Sequence, residues 1–134
     1  VGPKTSSYIN NLASSLTKEG FKSELRIMQS NGGVATVDMT TEKPVTILMS
    51  GPAGGVIGGK WAGNLSKEKN IITVDIGGTS ADISTIPDGN IRIMNPRDTY
   101  VGDYPILAPM IDLATIGAGG GSIAFIDKGG AFRV

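Results

Sequence analysis

Tyr8, Ile9, Leu12, Ala13 and Leu16 recur at the three- and four-residue spacing of a helix stripe, with Pro3 ahead of them and Gly20 beyond. That spacing predicts a surface helix over roughly residues 4–17 with one buried face. Leu25-Arg26-Ile27-Met28 alternates with period two instead, predicting a half-buried strand that stops at Ser30-Asn31-Gly32-Gly33. Residues 34–42 are polar and leave room for a short helix that Pro44 ends. The apolar run Val45-Thr46-Ile47-Leu48-Met49 predicts a buried strand. Ser50-Gly51-Pro52 has the form of a helix start with Pro early in the first turn, and the helix is expected to reach about Leu65.

The second half of the chain reads as strands. Ile71-Ile72-Thr73-Val74 is β-branched throughout and ends on Asp75. Gly77 and Gly78 permit a tight turn, and Ala81 to Ile86 alternates again, so a hairpin is predicted rather than a strand followed by a helix. Pro87-Asp88-Gly89-Asn90 is a turn signal before Ile91 to Met94, which predicts three antiparallel strands in succession. Pro96, Gly102 and Pro105 forbid a central strand over residues 95–104. Strand character returns at 109–116, and a last hairpin is predicted from 123–126 and 131–134 around Asp127-Lys128-Gly129-Gly130.

Composition narrows the chemistry. The chain has 134 residues, enough for one core, and its 20 glycines against five per cent aromatics put much of the design into turns and close backbone packing. Twelve basic and twelve acidic residues leave no electrostatic footprint for nucleic acid or anionic lipid, so neither partner is expected. Without cysteine or histidine there are no disulfides, thiolate nucleophiles, His-based triads or His-ligated metals; carboxylates, hydroxyls, Lys and backbone amides remain. No apolar run approaches membrane-spanning length and no signal peptide is seen, so a soluble, cytoplasmic protein is expected. Asn64-Leu65-Ser66 is treated as an accidental glycosylation match.

The remaining chemistry gathers at 71–86. A strand-end carboxylate, two glycines that let backbone approach an oxyanion, and the hydroxyls of Thr79 and Ser80 are what a Mg²⁺-bound polyphosphate needs within a few residues. The plainer reading is a turn that wants Gly at positive φ. Gly54, Gly55, Gly58 and Gly59 sit in the predicted helix, where each costs about 1 kcal/mol against Ala, so a close ligand or a neighbouring strand should require them. Gly54 to Lys60 also fits the P-loop spacing, but Trp61 stands where Ser or Thr is needed, and Lys60 reads as a solvated helix residue. The run Gly117 to Gly121 is not a dinucleotide fingerprint, because Ser122 replaces the last Gly; it fits either ligand contact or strand packing without side chains.

Strand-DxGGTxxD-strand resembles the phosphate hairpin of the actin-like ATPase superfamily. With Met28-Gln29-Ser30-Asn31-Gly32-Gly33, Ser50 to Gly58 and Thr115 to Ala124 in order around it, the stretch from about residue 25 to 134 resembles the hydantoinase A/5-oxoprolinase family. Acetone and acetophenone carboxylase subunits belong to the same family. The resemblance implies an α/β, actin-like ATPase (ribonuclease H-like) domain with a mixed sheet, an antiparallel β-meander and flanking helices. It divides one partial domain into a helix (1–20), a strand-helix segment with the SGPAGG motif (21–65), and a phosphate-hairpin and Gly-rich β segment (66–134).

It also implies an ATP- and Mg²⁺-dependent hydrolase that opens a cyclic amide, hydantoin or 5-oxoproline. An ATP-dependent ketone carboxylase subunit and a non-catalytic nucleotide-binding domain are the alternatives. Carried onto this chain, Asp75 holds Mg²⁺ through water, and Gly77, Gly78, Thr79 and Ser80 contact phosphate. Asp82 either helps with metal or water or caps its strand. Gly117, Gly119, Gly120 and Gly121 lie against nucleotide, while Asn31, Gly32, Gly33, Ser50, Gly51, Gly54 and Gly55 approach the cleft. The implied partners are a small-molecule substrate, the rest of a longer polypeptide and a hydantoinase B-type subunit. Two departures stand out: Ala114 occupies a position that is often His in the family, and one DxGGT motif is present where actin-like ATPases use two. A fragment inactive by itself is therefore expected.

Overall fold

The computed structural model describes residues 2–134. In chain order these form α1 (Gly2–Lys18), β1 (Arg26–Met28), β2 (Val34–Thr36), α2 (Val37–Glu42), a 3₁₀ turn (Pro44–Ile47) and α3 (Ser50–Ser66). There follow β3 (Ile71–Ile76), β4 (Ala81–Ile86), β5 (Ile93–Met94), β6 (Tyr100–Val101), β7 (Tyr104–Pro105), β8 (Met110–Ile111), β9 (Ala114–Ile116), β10 (Phe125–Ile126) and β11 (Phe132–Arg133). The central sheet has the order β3-β4-β9, with four two-stranded ribbons around it.

Helix α1 buries Ile9 and half-buries Leu12, Ala13 and Leu16, packing on α2 and the 3₁₀ turn, with the Ser6 hydroxyl donating to Thr41 O. Tyr8, placed on the same stripe from sequence, is 62% exposed; the buried face runs through Thr5 and Ile9 instead. Three further expectations need correction. The run 45–49 is not a strand: Pro44 opens a 3₁₀ turn, whose Thr46 carbonyl accepts from Ser30 N, and Met49 N donates to Ser30 Oγ. A short apolar run carries no period by which strand and turn can be told apart. The third strand against the hairpin is β9, not 91–94, because β5 pairs with β8. Finally, every pairing among the described residues is antiparallel, where a mixed sheet was expected.

The core lies between α3 and the central sheet. Ala53, Val56, Ile86 and Ile111 are fully buried there, with Ile57, Ile71, Ile91 and Leu113 against them. Helix and strand fit because their repeats match. Gly55, Gly59 and Gly63 form a four-residue stripe on α3 that runs down the alternate residues Asp75, Thr73 and Ile71 of β3. Four residues of helix advance about 6 Å and two of strand about 6.6 Å, so each glycine meets one strand side chain. A Cβ on Gly59 would overlap Thr73 Cγ2, and one on Gly63 would overlap Ile71 Cδ1. The neighbouring strand is thus what these helix glycines serve, and Gly63 joins the pattern. Lys67, at φ 61°, ends α3 in the left-handed conformation, its amide donating to Asn64 O and Gly63 O.

Candidate functional site

Alternation along β3 sends Ile71, Thr73 and Asp75 to the α3 side of the sheet. In the ladder Asp75 lies opposite Asp82, and Asp82 opposite Thr115. Residues opposed in an antiparallel pair share a face, so two carboxylates and a hydroxyl form a row across three strands. Thr115 Oγ1 donates to Asp82 Oδ1 in a short hydrogen bond. Asp75 is exposed, with Oδ2 3.4 Å from the place a Cβ on Gly55 would take. No cationic side chain pairs with either aspartate; among the described residues the ion pairs are Arg26–Glu24 and Arg133–Asp127. Pro52, Gly55, Val56, Thr73, Asp75 and Asp82 line a pocket of about 260 Å³ between the start of α3 and the hairpin.

The turn at the hairpin tip is closed by Gly77 N donating to Ser80 O at 2.9 Å, so the Gly77 amide is already engaged. The amides of Gly78 and Thr79 make no hydrogen bond among the described residues. Neither Gly77 nor Gly78 has positive φ, which removes the plain turn-geometry reason for glycine at both. A Cβ on Gly78 would meet nothing within 4 Å, so no contact in the chain accounts for that glycine either.

The glycine run before β10 folds back onto this tip. Gly120 N donates to Gly77 O at 2.8 Å and Gly121 N to Gly78 O at 3.0 Å, while Ser122 Oγ accepts from Gly119 N at 3.0 Å. A Cβ on Gly119 would stand 2.6 Å from Gly77 O and 2.8 Å from the Thr79 and Ser80 nitrogens, closer than real contacts allow. Gly119 and Gly121 therefore have a packing role, and backbone meets backbone over the hairpin tip. Gly117 has open space around it.

The other residues singled out from sequence separate into two groups. Ser50 and Gly51 open α3 just before Pro52, the first of its residues to line the pocket, and the first amides of the helix have no intrahelical partner. Asn31, Gly32 and Gly33 do not line it. Asn31 Oδ1 accepts from Gly33 N to close its own turn, and Gly32, at φ +82°, rests against Ile57 and Ile111. Gly54 faces Met28 of β1, and Gly54 and Lys60 both lie within α3, so no P-loop exists there. Sequence reading passed over Thr115 as a site residue, although it falls in a quoted motif; only the β4-β9 register reveals it. It also passed over Ser30, fully buried, whose backbone and hydroxyl tie together the 3₁₀ turn, the start of α3 and β8.

No three His, Cys, Asp or Glu side chains cluster to cage a metal among the described residues. The all-oxygen set of Asp75, Asp82 and Thr115 nevertheless suits a hard ion such as Mg²⁺, which takes one or two carboxylates and keeps its waters and a phosphate. The uncompensated pair of like charges is the feature that fits a cation.

The whole chain, residues 1–134, matches the family model described as hydantoinase/oxoprolinase. It is 36% identical to caprolactamase subunit alpha of Pseudomonas jessenii, covering 100% of this chain and 19% of that one. It is 37% identical to 5-oxoprolinase of Saccharomyces cerevisiae, over 98% of this chain and 10% of that one. Among solved structures it resembles nucleotide-free acetone carboxylase at a TM-score of 0.76 and 30% identity, covering 96% of this chain and 18% of that one. The chain thus spans a fifth or less of these relatives.

Proposed function

The chain belongs to the hydantoinase/oxoprolinase family, and on that premise we propose that it forms part of an ATP-dependent enzyme that opens a cyclic amide such as a hydantoin or 5-oxoproline. The observation that supports the reading is the Asp75–Asp82 pair, side by side on one sheet face with no cationic partner among the described residues. Asp75, without a side-chain partner, would be the carboxylate that holds Mg²⁺ through water, with Asp82, bonded to Thr115, as the fixed member. The ion supplies charge neutralisation for the phosphates. The free amides of Gly78 and Thr79 donate to phosphate oxygens, and Gly78, which no internal contact explains, lets backbone approach them. Positioning then moves the terminal phosphoryl group to the amide oxygen, which weakens the ring C–N bond toward water; ADP, phosphate and the ring-opened acid leave.

Likeness to acetone carboxylase supports a second reading, in which the phosphoryl group goes to an enol oxygen and the product is a carboxylated ketone. The caprolactamase relative is named as a subunit, which supports a second, hydantoinase B-type chain as partner. Use of ATP would place the work in the cytoplasm.

Calorimetric titration of MgATP into the intact parent protein tests the site. Wild type is expected to bind and Asp75→Ala to lose binding, with ATP hydrolysis absent from residues 1–134 alone. Undiminished MgATP affinity in Asp75→Ala would overturn the assignment.

A further inference from the structure

Strand β9 and the glycine run behind it touch the site at two points. Thr115 gives its proton to Asp82 Oδ1, and further on Gly120 N donates to Gly77 O and Gly121 N to Gly78 O. We propose that Thr115 is a positioning residue for the Mg²⁺ of the ATP complex, acting through Asp82 and not by touching the ion. The proposal rests on the ATP reading above and adds to it a residue that serves neither as a carboxylate nor as a phosphate donor.

The hydroxyl has one proton, and Asp82 takes it. That bond fixes the plane of the carboxylate through Oδ1. Asp82 Oδ2 and both oxygens of Asp75 accept no hydrogen bond among the described residues. The pair is therefore held at one oxygen and open at the others, which suits water-mediated contact with a cation. An outer hydrogen bond that orients a metal-side group is a recurring way of setting ion affinity. Holding the strands together does not call for it: Thr115 is exposed, and the β4-β9 ladder already pairs Ala81, Asp82 and Ile83 with Ile116, Thr115 and Ala114.

Which of the two side chains directs the other follows from how each is anchored. Thr115 is β-branched, and in a strand its χ1 is restricted. Its segment is anchored again at the hairpin tip. Gly119 N donates to Ser122 Oγ and Ser122 N to Gly119 O, closing a turn that presents the Gly120 and Gly121 amides to the Gly77 and Gly78 carbonyls. A Cβ on Gly121 would stand 2.9 Å from Gly78 O, so that contact is tight. Asp82 has no side-chain contact of this kind besides the bond itself. Thr115 is the fixed donor, and the Asp82 carboxylate turns to meet it.

Calorimetric titration of MgATP into the intact parent protein tests the role. Thr115→Val keeps the branched shape and removes the proton. Its Kd is expected to rise about tenfold, as when other outer hydrogen bonds to metal-side groups are lost, and Thr115→Ser, which restores the hydroxyl, to return close to wild type. Thr115→Ala is expected to behave as Thr115→Val and replaces it should that variant fail to fold. In an Asp82→Ala background Thr115→Val is expected to weaken binding no further, because the group it acts through is gone. An unchanged Kd in Thr115→Val, a Thr115→Ser as weak as Thr115→Val, or a second full loss in the Asp82→Ala background would overturn the role. Where Asp82→Ala binds too weakly to titrate, the contrast of Val with Ser decides. Absence of MgATP binding by wild type would sink the ATP reading and this one with it; wild-type binding with Thr115→Val unaffected sinks the positioning role alone.

Discussion

Asp75 stands directly opposite Asp82 across the β3-β4 ladder, and of the two only Asp82 has a partner, the Thr115 hydroxyl. Like charges in that position destabilise a sheet by about 0.2–1 kcal/mol. The dipole of α3 does little to offset this, because Gly55, the helix glycine set against Asp75, is the sixth residue of the helix and the dipole acts within the first turn. Asp75→Asn is therefore expected to raise the unfolding free energy of the metal-free protein by about 0.5 kcal/mol while abolishing stabilisation by Mg²⁺. Urea melts with and without Mg²⁺ measure both. A variant less stable than wild type in the absence of Mg²⁺ would show that the pair serves the fold.

Asp127 belongs to the last hairpin. Its Oδ1 accepts from the Ala131 and Gly129 amides, each at 2.9 Å, and its Oδ2 from Arg133 Nε at 2.9 Å. The Ala131 amide foremost, then the Arg133 guanidinium, hold the carboxyl below its ordinary 3.8. Since the folded value is the lower one, the ionised carboxylate favours the β10-β11 hairpin above the unfolded pKa, and that contribution fades as pH falls through the folded value. The NMR shifts of Gly129 and Ala131 should hold steady from neutral pH down to about the ordinary carboxyl value and move only below it. Asp127→Asn should abolish that movement. A midpoint at or above 3.8 in wild type would contradict the hydrogen-bond account.

What could be read from sequence was what local chemistry decides. The hairpin of β3 and β4 followed from a β-branched run, paired glycines and resumed alternation, and α3 from Ser50-Gly51-Pro52. The last hairpin followed from Asp127 to Gly130. Non-local pairings were hidden: that β9 rather than 91–94 joins β4 depends on a return from about thirty residues away, which no window of sequence contains. The same blindness concealed Thr115, visible only through its register with Asp82, and the seating of Gly32 against Ile57 and Ile111. The glycines before β10 were legible as costly but not as a clasp, since the partner carbonyls belong to Gly77 and Gly78.

Helix α3 gives a paired test in which one substitution should have opposite signs at adjacent residues. In an isolated helix Gly→Ala gains about 1 kcal/mol at any interior position. At Gly58 a Cβ would meet nothing within 4 Å, so Gly58→Ala should gain up to that amount. At Gly59 the added methyl would overlap Thr73 Cγ2, and Thr73 is not free to swing away because its Oγ1 donates to Ser84 O at 3.4 Å and its Cγ2 belongs to a branched carbon in a strand. Overpacking of this kind costs about 1–3 kcal/mol, so it exceeds the propensity gain and Gly59→Ala should be the less stable protein. Because Asp75 and Thr73 lie on the same face of β3, pushing the helix off at Gly59 should also widen the pocket between Gly55 and Asp75. MgATP affinity should then fall in Gly59→Ala and not in Gly58→Ala. Thermal melts of the two variants separate the signs, and equal gains at both positions would mean that the glycine stripe does not set the distance between α3 and β3.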